Sequence, residues 1–274
     1  MKQLNCKSYA KVNLCLHILG QREDGFHNIQ SIFQTINLFD TLTFIVEDNS
    51  RIKLECDYVD LKNKNNIIIK TWDMLASKFN IKKGIHVSLK KNIPVGSGLG
   101  GGSSNAAVTL LAIDKLFNLQ LSKDELLSVA ETLGSDVPFF LDGGSAYVSG
   151  RGDIINKLSL EKRFFVLIFP EINISTSEIY RIRRHKNESK VDNIQELLLS
   201  DLNSLESVVM EKYPQLNDTK YWLSSLGKVK MSGTGSTLYI EFDSYESANE
   251  ANKEIGMKYK SKMVSSLDSY DIFS

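Results

Sequence analysis

A glycine-rich segment in the middle of the chain is its strongest chemical signal. It reads Pro-Val-Gly-Ser-Gly-Leu-Gly-Gly-Gly-Ser-Ser from Pro94 to Ser104. Glycines let several backbone N–H groups converge on one point and let a bulky anion approach the main chain. The apolar helix predicted from about Ser104 to Phe117 would add unpaired N–H groups and the positive end of its dipole. The segment therefore predicts a polyphosphate site, to which the hydroxyls of Ser103 and Ser104 could donate.

Two common phosphate-loop patterns do not fit this segment. A Walker A loop needs Gly-Lys-Ser/Thr, whereas Gly102 is followed directly by Ser103. Residues 96–101 satisfy Gly-x-Gly-x-x-Gly, but the preceding predicted strand, residues 86–90, alternates in polarity. The first strand of a dinucleotide-binding fold is apolar on both faces, and an acidic residue ends a second strand about 20 residues later. The pattern therefore argues against a dinucleotide-dependent oxidoreductase.

Two charged residues outside the loop could take part in chemistry. Asp136 lies in an otherwise apolar turn, where its carboxylate could accept a proton or could cap a helix ahead of Pro138. Lys11 and Asn13 share the polar face of a predicted strand. A lysine beside Asp136 would favour the ionised carboxylate, although a solvent-facing lysine is the commoner case. The local sequence does not decide whether Asp136 accepts a proton or caps a helix, or whether Lys11 lies beside Asp136 or faces solvent.

The elements that must position these residues follow from periodicity. Residues 11–18 alternate strictly between apolar and polar, which predicts a strand with one buried face. Residues 29–36 and 41–47 predict two further strands, with Asp40 near the turn between them. Asn66 is a predicted cap for a helix carrying Trp72, and residues 122–125 form a capping box.

The two halves of the chain differ in pattern. Beyond about residue 160, one buried strand is followed by several helical stretches and then by short strands around a charged helix. Strands and helices are both frequent but do not alternate regularly, which predicts an α+β fold rather than a doubly wound sheet. We place the boundary between an N-terminal domain, residues 1–158, and a C-terminal domain, residues 159–274.

Bulk composition excludes several classes of protein. The 274 residues include 33 basic and 33 acidic side chains, so the formal net charge is zero, which argues against nucleic-acid and membrane partners. The basic run from Arg181 to Lys186 could bind an anion or could simply be a solvated helix face. The three cysteines have no Cys-x-x-Cys spacing, which predicts reduced thiols and no zinc site. Without a signal peptide or an apolar run of about 18 residues, we expect a cytoplasmic protein.

Five segments, taken in order, resemble the motifs of the GHMP kinases. The glycine segment, followed by Ala106 and Ala107, resembles their ATP loop. The other four are Ala10-Lys-Val-Asn-Leu14, Asp24-Gly-Phe-His27, Gly134-Ser-Asp-Val-Pro-Phe-Phe140 and Met231-Ser-Gly-Thr-Gly-Ser236. They span nearly the whole chain. The resemblance implies the two-domain GHMP kinase fold, with an N-terminal ATP-binding domain and a ferredoxin-like C-terminal domain.

The segments around Lys11, His27 and Asp136 narrow the resemblance to members that phosphorylate a cytidine-diphosphate methylerythritol. They imply transfer from ATP, accompanied by Mg²⁺, to the 2-hydroxyl of that substrate in non-mevalonate isoprenoid synthesis. Asp136 would be the base and Lys11 its charge partner. The implied ATP site consists of Asn66, Pro94, Val95, Gly96, Ser97, Gly98, Leu99, Gly100, Gly101, Gly102, Ser103 and Ser104. The implied acceptor site consists of Asn13, Phe26, His27, Thr176, Tyr180, Gly233, Thr234 and Gly235.

Some expectations within this resemblance are less specific. Phe26 stands where the family commonly has Tyr, so stacking is expected there without a hydroxyl contact. A GHMP kinase for homoserine or mevalonate, or an inactive GHMP-fold binding protein, are the alternatives. The base, the lysine and the loop glycines are all present, which argues against the inactive protein. We expect a monomer or a weak homodimer, with no protein-held metal cluster.

Overall fold

The computed structural model describes residues 2–58, 61, 63, 65–183 and 187–273. Within these ranges the chain forms two sheets, one from residues 3–158 and the other from residues 164–265. Arg184, His185 and Lys186 of the basic run lie outside the described residues. None of the helices within the described ranges has the length and apolar character needed to cross a membrane.

The first sheet is built around one long strand. Its strands are β1 (Gln3–Gln21), β2 (His27–Glu47), β3 (Ile52–Cys56), β4 (Gly84–Lys90), β5 (Ser145–Gly150) and β6 (Ile154–Leu158). The order is β3-β4-β2-β5-β6, and β1 pairs with the other edge of β2. Only the β3–β4 pair is parallel among the described pairings. One half of β2 therefore pairs with β4 and the other half with β5, while β1 runs along its full length.

The prediction of two strands with a turn near Asp40 was wrong, because β2 is continuous. The register of β1 against β2 shifts between Tyr9 and Ala10, so the strand absorbs extra residues as a bulge. Asp40 is fully buried within it. An aspartate is common in turns, but this carboxylate accepts hydrogen bonds from the backbone amides of Asn92 and Ile93, just after β4.

The prediction of one buried face for the first strand was also wrong. Residues 10–18 of β1 are all buried, because the second sheet packs against Val12 and Leu14 while Lys11 lies against the Phe33 ring and beside Gly100. The Tyr239 hydroxyl donates to the Asn13 carbonyl at 2.7 Å, and the Leu16 amide donates to the Leu202 carbonyl at 2.7 Å. Lys11 and Asn13 are only 3% and 4% exposed.

Four helices accompany the first sheet: α1 (Ile67–Lys78), α2 (Gly101–Phe117), α3 (Lys123–Leu133) and α4 (Phe139–Asp142). Apolar side chains of α1 and α2 share a core with Phe33 and Phe44 of β2. Two predicted caps are confirmed: the Asn66 side chain accepts from the Ile68 amide, and Ser122 with Glu125 forms a reciprocal capping box. Helix α2 begins at Gly101, three residues before the predicted start, so the last loop glycines are already helical.

The second sheet has ferredoxin-like topology. It contains β7 (Phe164–Ile168), β8 (Val229–Met231), β9 (Leu238–Phe242) and β10 (Ser261–Ser265), and the helices are α5 (Thr176–Ile182), α6 (Ile194–Ser200), α7 (Glu206–Lys212), α8 (Pro214–Leu223) and α9 (Tyr245–Gly256). The all-antiparallel order β10-β7-β9-β8 follows the strand-helix-strand-strand-helix-strand pattern. The α+β, two-domain prediction is confirmed. The boundary between residues 158 and 159 stays a prediction.

Candidate active site

A cleft of about 570 Å³ lies where β1, the glycine segment and the second sheet meet. Most of the residues that the sequence predicted for the two sites line it. They are Lys11, Asn13, Asn66, Pro94, Val95, Gly96, Ser97, Gly98, Leu99, Gly100, Gly101, Gly102, Ser103, Asp136, Thr176, Tyr180, Gly233 and Thr234. The fold thus collects residues separated by more than 200 positions in the chain.

Alternate glycines give the loop its shape. Gly96, Gly98 and Gly100 have φ of +65°, +75° and +72°, a region that residues with a Cβ rarely adopt. A Cβ on Gly98 would overlap the Ser232 carbonyl oxygen, and one on Gly100 would lie 2.7 Å from the Phe140 ring. The loop therefore packs its main chain directly against the C-terminal glycine motif and against α4.

The loop feeds into an uncapped helix. Gly100 is the N-cap of α2 and, among the described residues, no side chain caps that end. The first N–H groups of α2 are thus left with no intrahelical partner, next to the cleft. Such an end attracts anions through its free donors and its dipole. This geometry suits a phosphate chain lying along residues 100–103.

A buried ion pair anchors the start of the loop, and the sequence analysis missed it. Asp40, fully buried in β2, pairs with Lys91, whose side chain is 6% exposed. The same carboxylate accepts from the Asn92 amide at 2.7 Å and the Ile93 amide at 2.8 Å. Lys91 also lines the cleft, and its Nζ lies 3.3 Å from where a Cβ of Gly101 would be. The lone acidic residue within a β-branched and aromatic run was the available signal for this anchor.

Lys11 and Asp136 meet at the floor of the cleft. The Lys11 Nζ lies 3.6 Å from Asp136 Oδ2, donates to Asn13 Oδ1 and sits 4.5 Å from the centroid of the Phe33 ring. Burial lowers the pKa of Lys11, and the Asp136 charge partly opposes that shift. Asp136 is not a helix cap: α4 begins at Phe139, and no side chain caps it within the described ranges. The helix-capping alternative for Asp136 is therefore excluded.

The far wall of the cleft comes from the second domain. The Thr176 and Thr234 hydroxyls lie 3.0 Å apart, which ties α5 to the C-terminal glycine motif. The Tyr180 and His27 rings lie 5.2 Å apart at 43°. Burial, with a smaller contribution from the Asp136 charge, raises the pKa of the Tyr180 hydroxyl. The Tyr180 hydroxyl thus stays protonated near Asp136.

Asn203 holds the glycine motif in place and was also missed. Its Nδ2 donates to the Met231 and Gly233 carbonyls at 2.9 and 2.8 Å. The Ser232 hydroxyl donates to the Gly98 carbonyl at 2.9 Å, so the motif and the ATP loop are joined directly. An asparagine in a loop between two helices carries no sequence signal of such a contact.

Five predicted residues are placed differently from the rest. Ser104 is fully buried and does not line the cleft, and its hydroxyl accepts a hydrogen bond from Ser8 at 2.7 Å. Phe26 is 48% exposed, with the Arg151 guanidinium 5.3 Å from its ring. His27 borders the cleft through Tyr180, and Gly235 packs behind Gly98. Asn66 lines the cleft, but its side chain already caps α1 and donates to the Leu61 carbonyl.

Known proteins share both this arrangement and its sequence. The family model for the GHMP kinases N terminal domain matches residues 66–144, and the model for the GHMP kinases C terminal domain matches residues 179–260. The 4-diphosphocytidyl-2-C-methyl-D-erythritol kinase of Prochlorococcus marinus is 38% identical over 94% of this chain and 91% of its own length. That of Burkholderia multivorans is 32% identical over 98% of this chain and 96% of its own.

The chain belongs to the 4-diphosphocytidyl-2-C-methyl-D-erythritol kinase family of GHMP kinases. A crystal structure of a 4-(cytidine 5'-diphospho)-2C-methyl-D-erythritol kinase agrees, with a TM-score of 0.80, 30% identity, and coverage of 96% of this chain and 99% of that one. This GHMP kinase is therefore an ATP-dependent small-molecule kinase, as the sequence predicted. Within the described residues, no group of three or more His, Cys, Asp and Glu side chains is arranged to hold a metal ion.

Proposed function

We propose that this kinase transfers the γ-phosphoryl group of ATP to the 2-hydroxyl of 4-diphosphocytidyl-2-C-methyl-D-erythritol, in non-mevalonate isoprenoid precursor synthesis. The observation that carries the proposal is the Lys11–Asp136 pair, 3.6 Å apart in the cleft that the glycine loop borders. The relatives that share the chain over nearly its full length are named for this substrate. Asp136 is the proposed base and Lys11 its charge partner.

The proposed step needs positioning more than covalent chemistry. The acceptor oxygen attacks the γ-phosphorus, its proton passes to the Asp136 carboxylate, and the bond from the γ-phosphorus to the bridging oxygen breaks to release ADP. The Lys11 ammonium favours the ionised carboxylate and stabilises negative charge developing on the acceptor oxygen. Because Lys11 is buried and bonded to Asn13, it holds this position without reorganising as the charge develops.

The nucleotide would lie along the loop, with its phosphates at residues 100–103 and the N-terminus of α2. Mg²⁺ prefers oxygen ligands and keeps several waters, so it needs few protein donors. Asp136 is the one acidic side chain that lines the cleft within the described ranges, and Ser103 offers a hydroxyl nearby. These residues fit an ion held chiefly by phosphates and water; bound there, it would neutralise phosphate charge.

The acceptor would be recognised by its cytidine end. Tyr180 and His27 supply an aromatic ring and a polar edge, and Phe26 supplies a second ring at the rim. Aromatic rings stack on bases, and a histidine can exchange hydrogen bonds with the cytosine edge. Thr176, Thr234 and the backbone of Gly233 would face the diphosphate. We further propose that the enzyme is cytoplasmic, acts as a monomer or weak homodimer, and uses neither nucleic acid nor membrane.

A turnover assay tests the proposal. Purified protein with Mg²⁺, ATP and 4-diphosphocytidyl-2-C-methyl-D-erythritol should release ADP, whereas homoserine and mevalonate should not support release. If either control acceptor supported ADP formation instead, the substrate assignment would be wrong, although the protein would still be a kinase.

A variant pair tests the cytidine pocket. Tyr180→Ala should weaken acceptor binding by about 1–3 kcal/mol, the usual value of one base–aromatic stack, and leave the ATP KM unchanged. Tyr221→Ala is the matched control, because that tyrosine is 82% exposed and does not line the cleft. A Tyr180→Ala effect confined to ATP would contradict this placement.

A further inference from the structure

The end of the described chain returns to the N-terminal domain. Residues 266–273, here called the C-terminal strap, pass from the outer edge of β2 to the outer edge of β1. The Leu267 amide donates to the Thr35 carbonyl at 2.9 Å, and the Lys7 amide donates to the Ile272 carbonyl at 2.8 Å. The strap is thus bonded to both long strands of the first sheet.

Tyr270 is the part of the strap that reaches the catalytic side. Its hydroxyl donates to the Phe140 carbonyl in α4 at 2.6 Å. Its ring meets the Tyr9 ring edge-on, with centroids 5.0 Å apart. One side chain therefore touches the helical turn that follows Asp136 and the strand that carries Lys11. Burial and the nearby Asp142 charge raise the pKa of the Tyr270 hydroxyl, which keeps it a donor across the working pH range.

Two glycines shape the exit of α4 around this side chain. Gly143 and Gly144 have φ of +58° and +82°. A Cβ on Gly143 would overlap the Tyr270 ring, and one on Gly144 would lie 2.5 Å from the Asp268 carbonyl oxygen. The backbone after α4 can therefore pack closely against the strap because neither Gly143 nor Gly144 has a Cβ.

The turn that carries Asp136 has little support of its own. Helix α4 is a single turn of four residues, which is marginal without tertiary contacts. Phe140 within it packs where a Gly100 Cβ would be, so the turn also borders the ATP loop. On the other side, Tyr9 and Lys11 are two residues apart in β1.

We propose that Tyr270 is a positioning residue that fixes the separation between Asp136 and Lys11. It clamps α4 through its hydroxyl and β1 through its ring, and the strap holds it against both. The inference rests on the proposed roles of Asp136 and Lys11. It predicts that the C-terminal strap affects the phosphoryl-transfer step although it lies outside the cleft.

Steady-state kinetics on the full chain test this inference. Tyr270→Phe keeps the ring and loses the hydroxyl, so kcat should fall roughly 3- to 10-fold, the equivalent of one hydrogen bond, while the ATP KM stays the same. Tyr270→Ala should lower kcat by roughly 100-fold, because both clamps are lost. Tyr221→Phe is the matched control and should leave kcat unchanged, since its side chain is exposed. A Tyr270→Ala enzyme with wild-type kcat, measured well below its Tm, would overturn the positioning role.

Amide hydrogen exchange gives a readout that does not depend on the acceptor. In Tyr270→Ala, exchange should accelerate in residues 134–143, where the Phe140 and Gly143 amides are bonded within the turn. Exchange in β8 and β9, on the far sheet, should not change. Faster exchange throughout the chain would mean that Tyr270 acts only on global stability, and unchanged exchange in residues 134–143 would also overturn the inference. If the wild type fails to phosphorylate the proposed acceptor while this local change appears, the substrate assignment fails and the clamp stands.

Discussion

The two sides of the cleft differ in the groups they present: one side is mainly backbone, and the other is mainly side chains. The loop side, residues 94–103, presents main chain: three glycines with positive φ and the open end of α2. The opposite side, which we propose binds the acceptor, presents side chains, above all Lys11 of β1, Asp136 of the turn before α4 and Tyr180 of α5. A site made of backbone is specified by a short local sequence, whereas a site made of side chains depends on how distant elements pack. Substitutions on the two sides should therefore change different measured quantities.

The largest expected effect is on the acceptor side. Asp136→Asn should lower kcat by roughly 10²- to 10⁴-fold, the usual contribution of a general base, because the amide cannot accept the hydroxyl proton. Binding of a non-hydrolysable ATP analogue, measured by calorimetry, should stay close to wild type, since the loop is untouched. Near-normal turnover would exclude Asp136 as the base and remove the functional contrast between the two sides.

The anchor of the loop should matter through stability. Asp40→Asn leaves Lys91 charged, buried and without its carboxylate, which should cost about 3–5 kcal/mol of unfolding free energy. Urea denaturation measures this. Asp48→Asn is the matched control: the Asp48 side chain is 95% exposed in its pair with Lys83, so the change should be below about 1 kcal/mol. Equal effects of the two variants would show that the buried pair does not anchor the loop.

Two glycines of the loop should respond differently. Gly98→Ala puts a Cβ into the Ser232 carbonyl at a positive φ and should reduce stability by about 1–3 kcal/mol. Gly102 is helical with nothing within 4 Å of a Cβ, so Gly102→Ala should hold or raise stability by up to about 1 kcal/mol. Thermal unfolding measures the difference in stability between the two variants.

Gly102→Ala should also raise the ATP KM, because its methyl group faces the space assigned to phosphates. An unchanged ATP KM would contradict the placement of the phosphates at this position.

The smallest effect is a shift in titration. Burial lowers the pKa of Lys11 below 10.5, and the Asp136 charge opposes this, so Asp136→Asn should lower it further. NMR titration of labelled lysine should show both changes. The unfolded chain binds more protons than the folded one between the two pKa values, so Lys11 adds stability as pH rises through that window. A Lys11 pKa that is insensitive to Asp136→Asn would show that the two charges do not interact.

The same contrast explains what could be predicted from the sequence. The glycine segment, the Asn66 cap and the capping box at Ser122 are local and were predicted directly. The turn near Asp40 was predicted wrongly, because only the fold shows that its carboxylate receives the Asn92 and Ile93 amides. The burial of Lys11 could not be foreseen either, since it depends on Phe33, Gly100 and Asp136, which only the fold brings against this side chain. Lys91 and Asn203 carry no local signal of their contacts.

The bonds between β1 and the strap also have a consequence for biosynthesis. Lys7 and Ile272 are hydrogen-bonded partners, and a ribosome adding roughly 5–20 residues per second needs on the order of ten to fifty seconds to travel between them. During that interval β1 can pair with β2, but it cannot yet form its contacts with the second sheet and the strap. The nascent chain therefore lacks these contacts to β1 until residue 272 has been synthesised.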